Sequence, residues 1–280
     1  MINPVQIAAW LEEDLGDGDI TTEALIPPGA RARMTVTAKA SGVICGATSL
    51  GEFLCRLGEP AAELRAVADG TAVGKGTIVA QASADHARLL IAERSYLNLV
   101  QRLSGVASAT RRLVDAVAHT QARILDTRKT TPGLRTLEKA AVVAGGGKNH
   151  RMGLYDEFLI KENHLEFFRA CPNPFAAAIL KARQAHPERR LIIEVRDLEE
   201  FRMALGAGPE VILLDNMSCD EMRRAVGEAE GSGVELEASG GISLETVREI
   251  AETGVQRISV GGITHSAPAL DLSATISVLG

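Results

Sequence analysis

From about Gln121 to the C-terminus the chain alternates short apolar runs with amphipathic stretches. The runs fall at Phe158–Ile160, Leu191–Val195, Val211–Leu214, Val234–Ala238 and Arg257–Val260. Each is short enough for a buried strand. The stretches between the later runs carry helix start and stop signals. Asp197 with Glu200, and Ser218 with Glu221, have capping-box spacing, and Ser243 is a third expected N-cap. Gly206, Gly231 and Gly254 stand where C′ glycines should follow these helices. Strand and helix repeat at intervals of roughly 20–30 residues, the pattern of βα units on a parallel sheet. With Arg123–Asp126 as an earlier strand there are about six units, which predicts an incomplete, TIM-like βα barrel.

The first hundred residues follow another pattern. A helical stretch breaks at Gly16-Asp17-Gly18-Asp19, and Met34–Ala40 and Val43-Ile44 predict short strands. Asp69-Gly70, Gly74 and Gly76 punctuate a strand-rich stretch that ends near Gln81. A long helix is expected from Asp85 to about Ser104, with Leu90, Arg94 and Leu97 on one stripe, so that Arg94 interrupts an apolar face. The expected division is a smaller α/β domain over 1–108, joined by a tail at 267–280, and a barrel domain over 109–266.

Composition narrows the function. Aromatic residues are 3% of the chain, too few for a stacking platform, and the net charge of −6 disfavours a phosphate-backbone binder. No nucleic-acid partner is expected. No stretch of about 18 uncharged apolar residues occurs, so no membrane span is expected either. Four cysteines lack CxxC or metal-type spacing, and the chain reads as cytoplasmic. The charge is uneven: between Gln121 and His164 eight Lys/Arg face five acids, leaving +3 there and −9 elsewhere. A local positive site in an acidic protein suits a small anion better than a polymer.

The polar residues that could do chemistry stand directly after the apolar runs, where a βα barrel carries its functional face. Thr127-Arg128-Lys129 and Arg135 supply hydroxyls, an ammonium and guanidinium forks suited to carboxylates and phosphates. Gly145-Gly146-Gly147-Lys148-Asn149-His150-Arg151 is glycine-rich and basic without being a nucleotide P-loop. Its glycines could bring backbone N–H groups to an anion, with His150 and Arg151 as side-chain donors. Lys161 ends a run and suits either a Schiff base or an anion; the surrounding cations favour the anion. Glu194 and Asp215 end successive runs. They suit Mg²⁺ with sugar hydroxyls, stabilisation of a cationic transition state, or pairing with nearby cations. Ser239-Gly240-Gly241 and Gly261-Gly262 follow the last two runs, where barrels commonly bind phosphate.

In order, TRKTTPGLR (127–135), GGGKNHR (145–151), IKENH (160–164), LLDNM (213–217), ASGGI (238–242) and ISVGGITHS (258–266) resemble the quinolinate phosphoribosyltransferase family, the carboxylating nicotinate-nucleotide pyrophosphorylases. EEDLGDGDITT (12–22) and ERSYLNLVQRLSG (93–105) resemble it too, so the likeness covers nearly the whole chain. The resemblance implies an N-terminal α/β sandwich beside the incomplete barrel. It implies transfer of phosphoribosyl from phosphoribosyl pyrophosphate to quinolinate, with Mg²⁺, giving nicotinate mononucleotide, pyrophosphate and CO2. By resemblance Arg94, Arg128, Lys129, His150, Arg151 and Lys161 form the basic pocket, with Thr127 beside them, and Lys129, Lys161, Glu194 and Asp215 take part in catalysis. Glu194 and Asp215 stand near ribose and metal, and Ser239, Gly240, Gly241 and Gly261 hold the 5′-phosphate. Arg94 is expected to reach the active site of a neighbouring subunit in a homodimer or larger assembly. The family's usual EVE is here Ile192-Ile193-Glu194, with Ile at the first acidic position. A paralogue with another acceptor, a Schiff-base aldolase using Lys161, and a non-catalytic binding or regulatory protein are the alternatives. Removing the guanidinium in Arg128→Ala is expected to cost several kcal/mol of quinolinate recognition; unchanged quinolinate saturation kinetics would contradict that role.

Overall fold

The computed structural model describes residues 2–60 and 62–279. The strands are β1 (Arg31–Ala38), β2 (Gly42–Val43), β3 (Glu63–Ala66), β4 (Ala72–Val73), β5 (Ile78–Asp85), β6 (Arg123–Leu125), β7 (Phe158–Ile160), β8 (Leu191–Val195), β9 (Val211–Asp215), β10 (Glu235–Ser239), β11 (Arg257–Ser259) and β12 (Leu272–Val278). They fall into two compact units. The first comprises Met1–Ala109, Val143–Gly146 and Ala267–Gly280, and the second Thr110–Val142 and Gly147–Ser266.

In the first unit an antiparallel sheet runs β12-β1-β5-β3, and β2 pairs with β4. Along β1 the apolar residues Ala32, Met34, Val36 and Ala38 are buried while Arg31 and Arg33 are exposed, the period of a strand with one covered face. Asn3 caps helix Pro4–Leu15, Gly16 ends it at φ 50, and Asp19 caps helix Ile20–Leu25. Three of the chain's nine aromatics pack together here. Trp10 and Phe53 lie 6.3 Å apart, Phe53 meets Tyr96 edge-on at 6.2 Å, and Tyr96 donates its hydroxyl to the Ala47 carbonyl at 3.0 Å.

The long helix spans His86–Val117, well beyond the expected stop at Ser104. Its core stripe is Leu89, Ala92, Tyr96, Val100 and Leu103. Arg94 therefore lies on an exposed side and does not interrupt that face. Gly105 is internal to the helix because its missing side chain admits another segment. A Cβ there would overlap the Pro268 carbonyl oxygen and crowd Ala269 Cα at 3.0 Å.

The second unit contains a six-stranded parallel sheet, ordered β6-β11-β10-β9-β8-β7. Among the described residues β6 and β7 do not pair, so the sheet is an incomplete βα barrel. Ser218 and Glu221 form the capping box foreseen for helix Cys219–Ala229, and Asp197 caps helix Leu198–Leu205. Ser243 does not cap its helix: Val247–Ala251 starts at Thr246. Gly206 stays right-handed, while Gly208 takes φ 68. The barrel's interior positions divide in two. Ile192, Val211 and Leu213 form an apolar cluster with Leu159, whereas Glu237 and Arg257 are buried and paired on β10 and β11. No described helix is long and apolar enough to cross a membrane. Gly105→Ala is expected to destabilise the protein by about 1–3 kcal/mol, since backbone must move to admit the methyl group. Urea unfolding checks this, and an unchanged midpoint would refute the close approach.

Candidate active site

The second unit carries a cavity of about 530 Å³ at the C-terminal ends of its strands. Thr127, Arg128 and Lys129 reach it from the loop after β6, Lys161 from the end of β7, Glu194 from β8 and Asp215 from β9. His150 and Arg151 enter from the segment after helix Arg135–Ala144, and Ser239, Gly240 and Gly241 from the turn after β10. Most residues singled out in the sequence thus share one pocket. Gly261 stands beside the lining: a Cβ there would meet Lys129 Cδ at 2.9 Å, so this glycine makes room for the lysine stem. Thr264 also donates its hydroxyl to the Lys129 carbonyl at 2.8 Å. Arg94 does not line the pocket.

Four lining residues were not singled out: Leu159, Leu213, Asn216 and Ser259. Leu213 and Ser259 share the alternation of Asp215 and Arg257, a signal available once the strands were assigned. Asn216 takes φ 55, an unusual conformation for a side-chain-bearing residue. Its amide donates to Asp215 Oδ2 at 3.0 Å. It also occupies the space a Cβ on Gly240 would need, and Gly240 itself has φ 97. Asn216 and Gly240 therefore require one another.

The glycine-rich segment does not cradle an anion. Gly146 and Gly147 donate their N–H groups to Val143 and Val142, and Lys148 donates to Ile124. These bonds close the preceding helix and extend the β6 edge, so no N–H of the three is free for a ligand. Gly147 is needed for packing, since a Cβ would meet Thr110 Cγ2 and Val142 Cγ1 at 2.8 Å. Lys148 is exposed and does not line the cavity. Arg135 serves the loops, bonding Thr130 Oγ1 at 3.1 Å and the Met152 carbonyl at 3.2 Å.

The pocket's electrostatics call for an anion. Arg128 Nε is buried and lacks a hydrogen-bond partner among the described residues. Burial lowers the Arg151 guanidinium pKa and the neighbouring Arg128 charge lowers it further, against Asp156 and Glu157. Opposite them, Lys161 is ion-paired with Glu194. A carboxylate so engaged does not suit a Schiff-base lysine, which must present a neutral amine to a carbonyl.

Glu194 and Asp215 stand on adjacent strands and face one cavity. No cluster of three or more His, Cys, Asp or Glu suited to a metal occurs among the described residues. Two carboxylates without a full cage fit Mg²⁺, which keeps waters and takes substrate oxygens as ligands. Ile192 is fully buried beneath Glu194 and does not line the cavity; a carboxylate there would need a buried partner.

Comparison with known proteins bears on this pocket. Residues 106–275 match the quinolinate phosphoribosyl transferase C-terminal domain, and residues 19–104 its N-terminal domain. The chain belongs to the quinolinate phosphoribosyltransferase family. It is 40% identical over 267 residues to a probable carboxylating nicotinate-nucleotide pyrophosphorylase of Bacillus subtilis (95% of this chain, 90% of that protein). It is 42% identical over 269 residues to the carboxylating nicotinate-nucleotide pyrophosphorylase of Mycobacterium leprae (94% and 93%). The nicotinate-nucleotide pyrophosphorylase structure from Francisella tularensis superposes with a TM-score of 0.91 at 33% identity, covering 99% of this chain and 98% of that one. Membership in this family does not favour the aldolase or a paralogue with another acceptor. Gly240→Ala is expected to lower turnover roughly tenfold to a hundredfold, because positive φ and displacement of Asn216 together store about 1–3 kcal/mol. Steady-state kinetics beside a melting curve check it; full activity would show that Asn216 tolerates displacement.

Proposed function

We propose that this chain transfers the phosphoribosyl group of phosphoribosyl pyrophosphate to quinolinate, releasing pyrophosphate and CO2 and forming nicotinate mononucleotide. The observation that carries the reading is the pair of crowded guanidiniums, Arg128 and Arg151, beside the apolar surface of Leu159 and Leu213. A flat aromatic dicarboxylate meets both demands: its carboxylates neutralise the cations, and its ring covers the leucines.

In this reading Arg128 and Arg151 hold the carboxylates and aim the ring nitrogen at C1 of the sugar. Ser239, Gly240, Gly241 and Gly261 receive the 5′-phosphate, with the Lys129 stem lying against Gly261. As the nitrogen–C1 bond forms, the C1–oxygen bond breaks and its electrons leave on pyrophosphate, which Lys129 and Lys161 attract. Glu194 and Asp215 stabilise the positive charge at C1. The bond from ring C2 to its carboxyl then breaks, CO2 departs, and the pyridinium accommodates the electron pair until a proton replaces it. When bound, Mg²⁺ neutralises charge on the departing pyrophosphate, and Glu194 and Asp215 are the side chains that would hold it, directly or through water.

The proposal extends to assembly: Arg94 completes the pocket of a second copy in a homodimer or larger oligomer. Its support is an exposed guanidinium for which no ion pair is found among the described residues, at the position the family resemblance marks. A cytoplasmic setting is supported by four free thiols and no disulfide among the described residues.

Pyrophosphate release by the purified protein is expected to require quinolinate, to match CO2 release one for one, and to fall to background when EDTA removes divalent cations. Release indifferent to quinolinate would refute the acceptor. In the same assay, mixed Arg94→Ala and Lys161→Ala chains are expected to recover activity that neither shows alone.

A further inference from the structure

His150 lines the pocket, yet each of its polar atoms faces a polar group of the protein. Its backbone N–H donates to Asp126 Oδ1 at 2.9 Å, and its carbonyl accepts from Lys139 Nζ at 2.9 Å. Asp126 and Lys139 are themselves ion-paired, and both are fully buried. On the ring, Nδ1 accepts the Arg151 backbone N–H at 2.7 Å, which places the ring proton on Nε2. Nε2 stands 3.3 Å from Glu237 Oε1, near enough to attract it but out of hydrogen-bond alignment, so that Oε1 is buried without a hydrogen-bond partner among the described residues; Glu237 Oε2 accepts from Arg257 Nε at 2.7 Å.

Glu237 is fully buried on β10 and Arg257 is 5% exposed on β11. Burying such a pair costs desolvation, and apolar residues of similar bulk commonly serve stability as well. The other half of this interior shows that alternative, with Ile192, Val211 and Leu213 filling it. Stability alone therefore does not account for the charged half. Burial raises the Glu237 carboxyl pKa, but the nearby His150 ring and the Arg257 guanidinium outweigh it and hold it at about 2. Glu237 is thus held as a carboxylate, able to accept but not donate.

We propose that Glu237, backed by Arg257, is a positioning residue that holds the His150 ring by Nε2 and thereby fixes the His150–Arg151 corner of the acidic-substrate pocket. The inference rests on the function proposed above. His150 then meets the substrate with its ring edge and face, while the guanidinium of Arg151 supplies the charge. The binding of the acidic substrate depends on two residues that never touch it.

The test is a double-mutant cycle between His150→Ala and the paired replacement Glu237→Leu/Arg257→Leu, which removes both charges together, with Glu237→Gln as the conservative variant. The paired replacement is expected to raise the quinolinate KM about tenfold, the scale of one charge-assisted contact, with a much smaller change in kcat. That rise should disappear when His150→Ala is already present, and Glu237→Gln, which keeps an acceptor, should recover most of the binding. Equal effects in both backgrounds, or Glu237→Gln as damaging as the paired replacement, would overturn the proposal. A readout independent of turnover is the nitrogen NMR of His150, expected to show one Nε2-protonated tautomer in the parent and a mixture in the paired replacement. A mixture in the parent would also overturn it. A protein that shows the single tautomer yet ignores quinolinate would instead sink the assigned reaction.

Discussion

Two guanidiniums share a partly buried pocket, and the rest of the second unit can be understood from the cost of keeping them there. Arg128 and Arg151 come from different segments, the Arg128 charge disfavours that of Arg151, and the buried Arg128 Nε lacks a hydrogen-bond partner among the described residues. Folding alone gains nothing from this arrangement, so the chain needs devices that hold the two segments together before any ligand arrives. Asp126 is one such device. It immediately precedes Thr127-Arg128-Lys129, and its carboxylate takes the His150 N–H and the Lys139 ammonium. One buried side chain thereby ties both basic segments. Burial raises the Asp126 carboxyl pKa while Lys139 and the His150 N–H lower it, so its charge depends on those partners staying in place.

This demand explains why the barrel interior is not uniformly apolar. Beneath β7 to β9, where the pocket needs only a flat surface, the interior is aliphatic. Beneath β10 and β11, where a histidine must be held, it is ionic. The strand-end carboxylates follow a similar logic: Glu194 is paired with Lys161, and Asp215 is steadied by the strained Asn216. That strain is accommodated by Gly240, which leaves the space Asn216 fills.

How much of this was legible in the sequence depended on whether the cause was local. The strands after Gln121 follow from apolar runs and caps, and most pocket residues follow from standing at strand ends. Glycines misled because one residue type answers several needs. Gly145–Gly147 suggest an anion cradle, yet Gly146 and Gly147 close a helix, and Gly105, just past the stop expected at Ser104, lies within the helix because distant Pro268 requires a small residue. Lys139 counted only as one more cation, since nothing nearby in sequence says that Asp126 receives it. The pairing of Glu237 with Arg257 was equally hidden, because it depends on the register of β10 against β11.

The charge balance of the site gives a last physical argument. Of the eight cations between Gln121 and His164, Arg123 is paired with Glu235, Lys139 with Asp126, and Arg135 braces two loops. Lys148 is exposed away from the lining. Arg128, Lys129, Arg151 and Lys161 remain in the pocket, against the carboxylates Glu194 and Asp215, an excess of two positive charges. A dicarboxylate already matches that excess, and a donor carrying a phosphate and a pyrophosphate brings considerably more negative charge. The chain's own pocket can therefore neutralise one substrate of the proposed reaction but not both. Mg²⁺ held at Glu194 and Asp215, and Arg94 from a second copy, would supply positive charge where the donor's pyrophosphate must be stabilised.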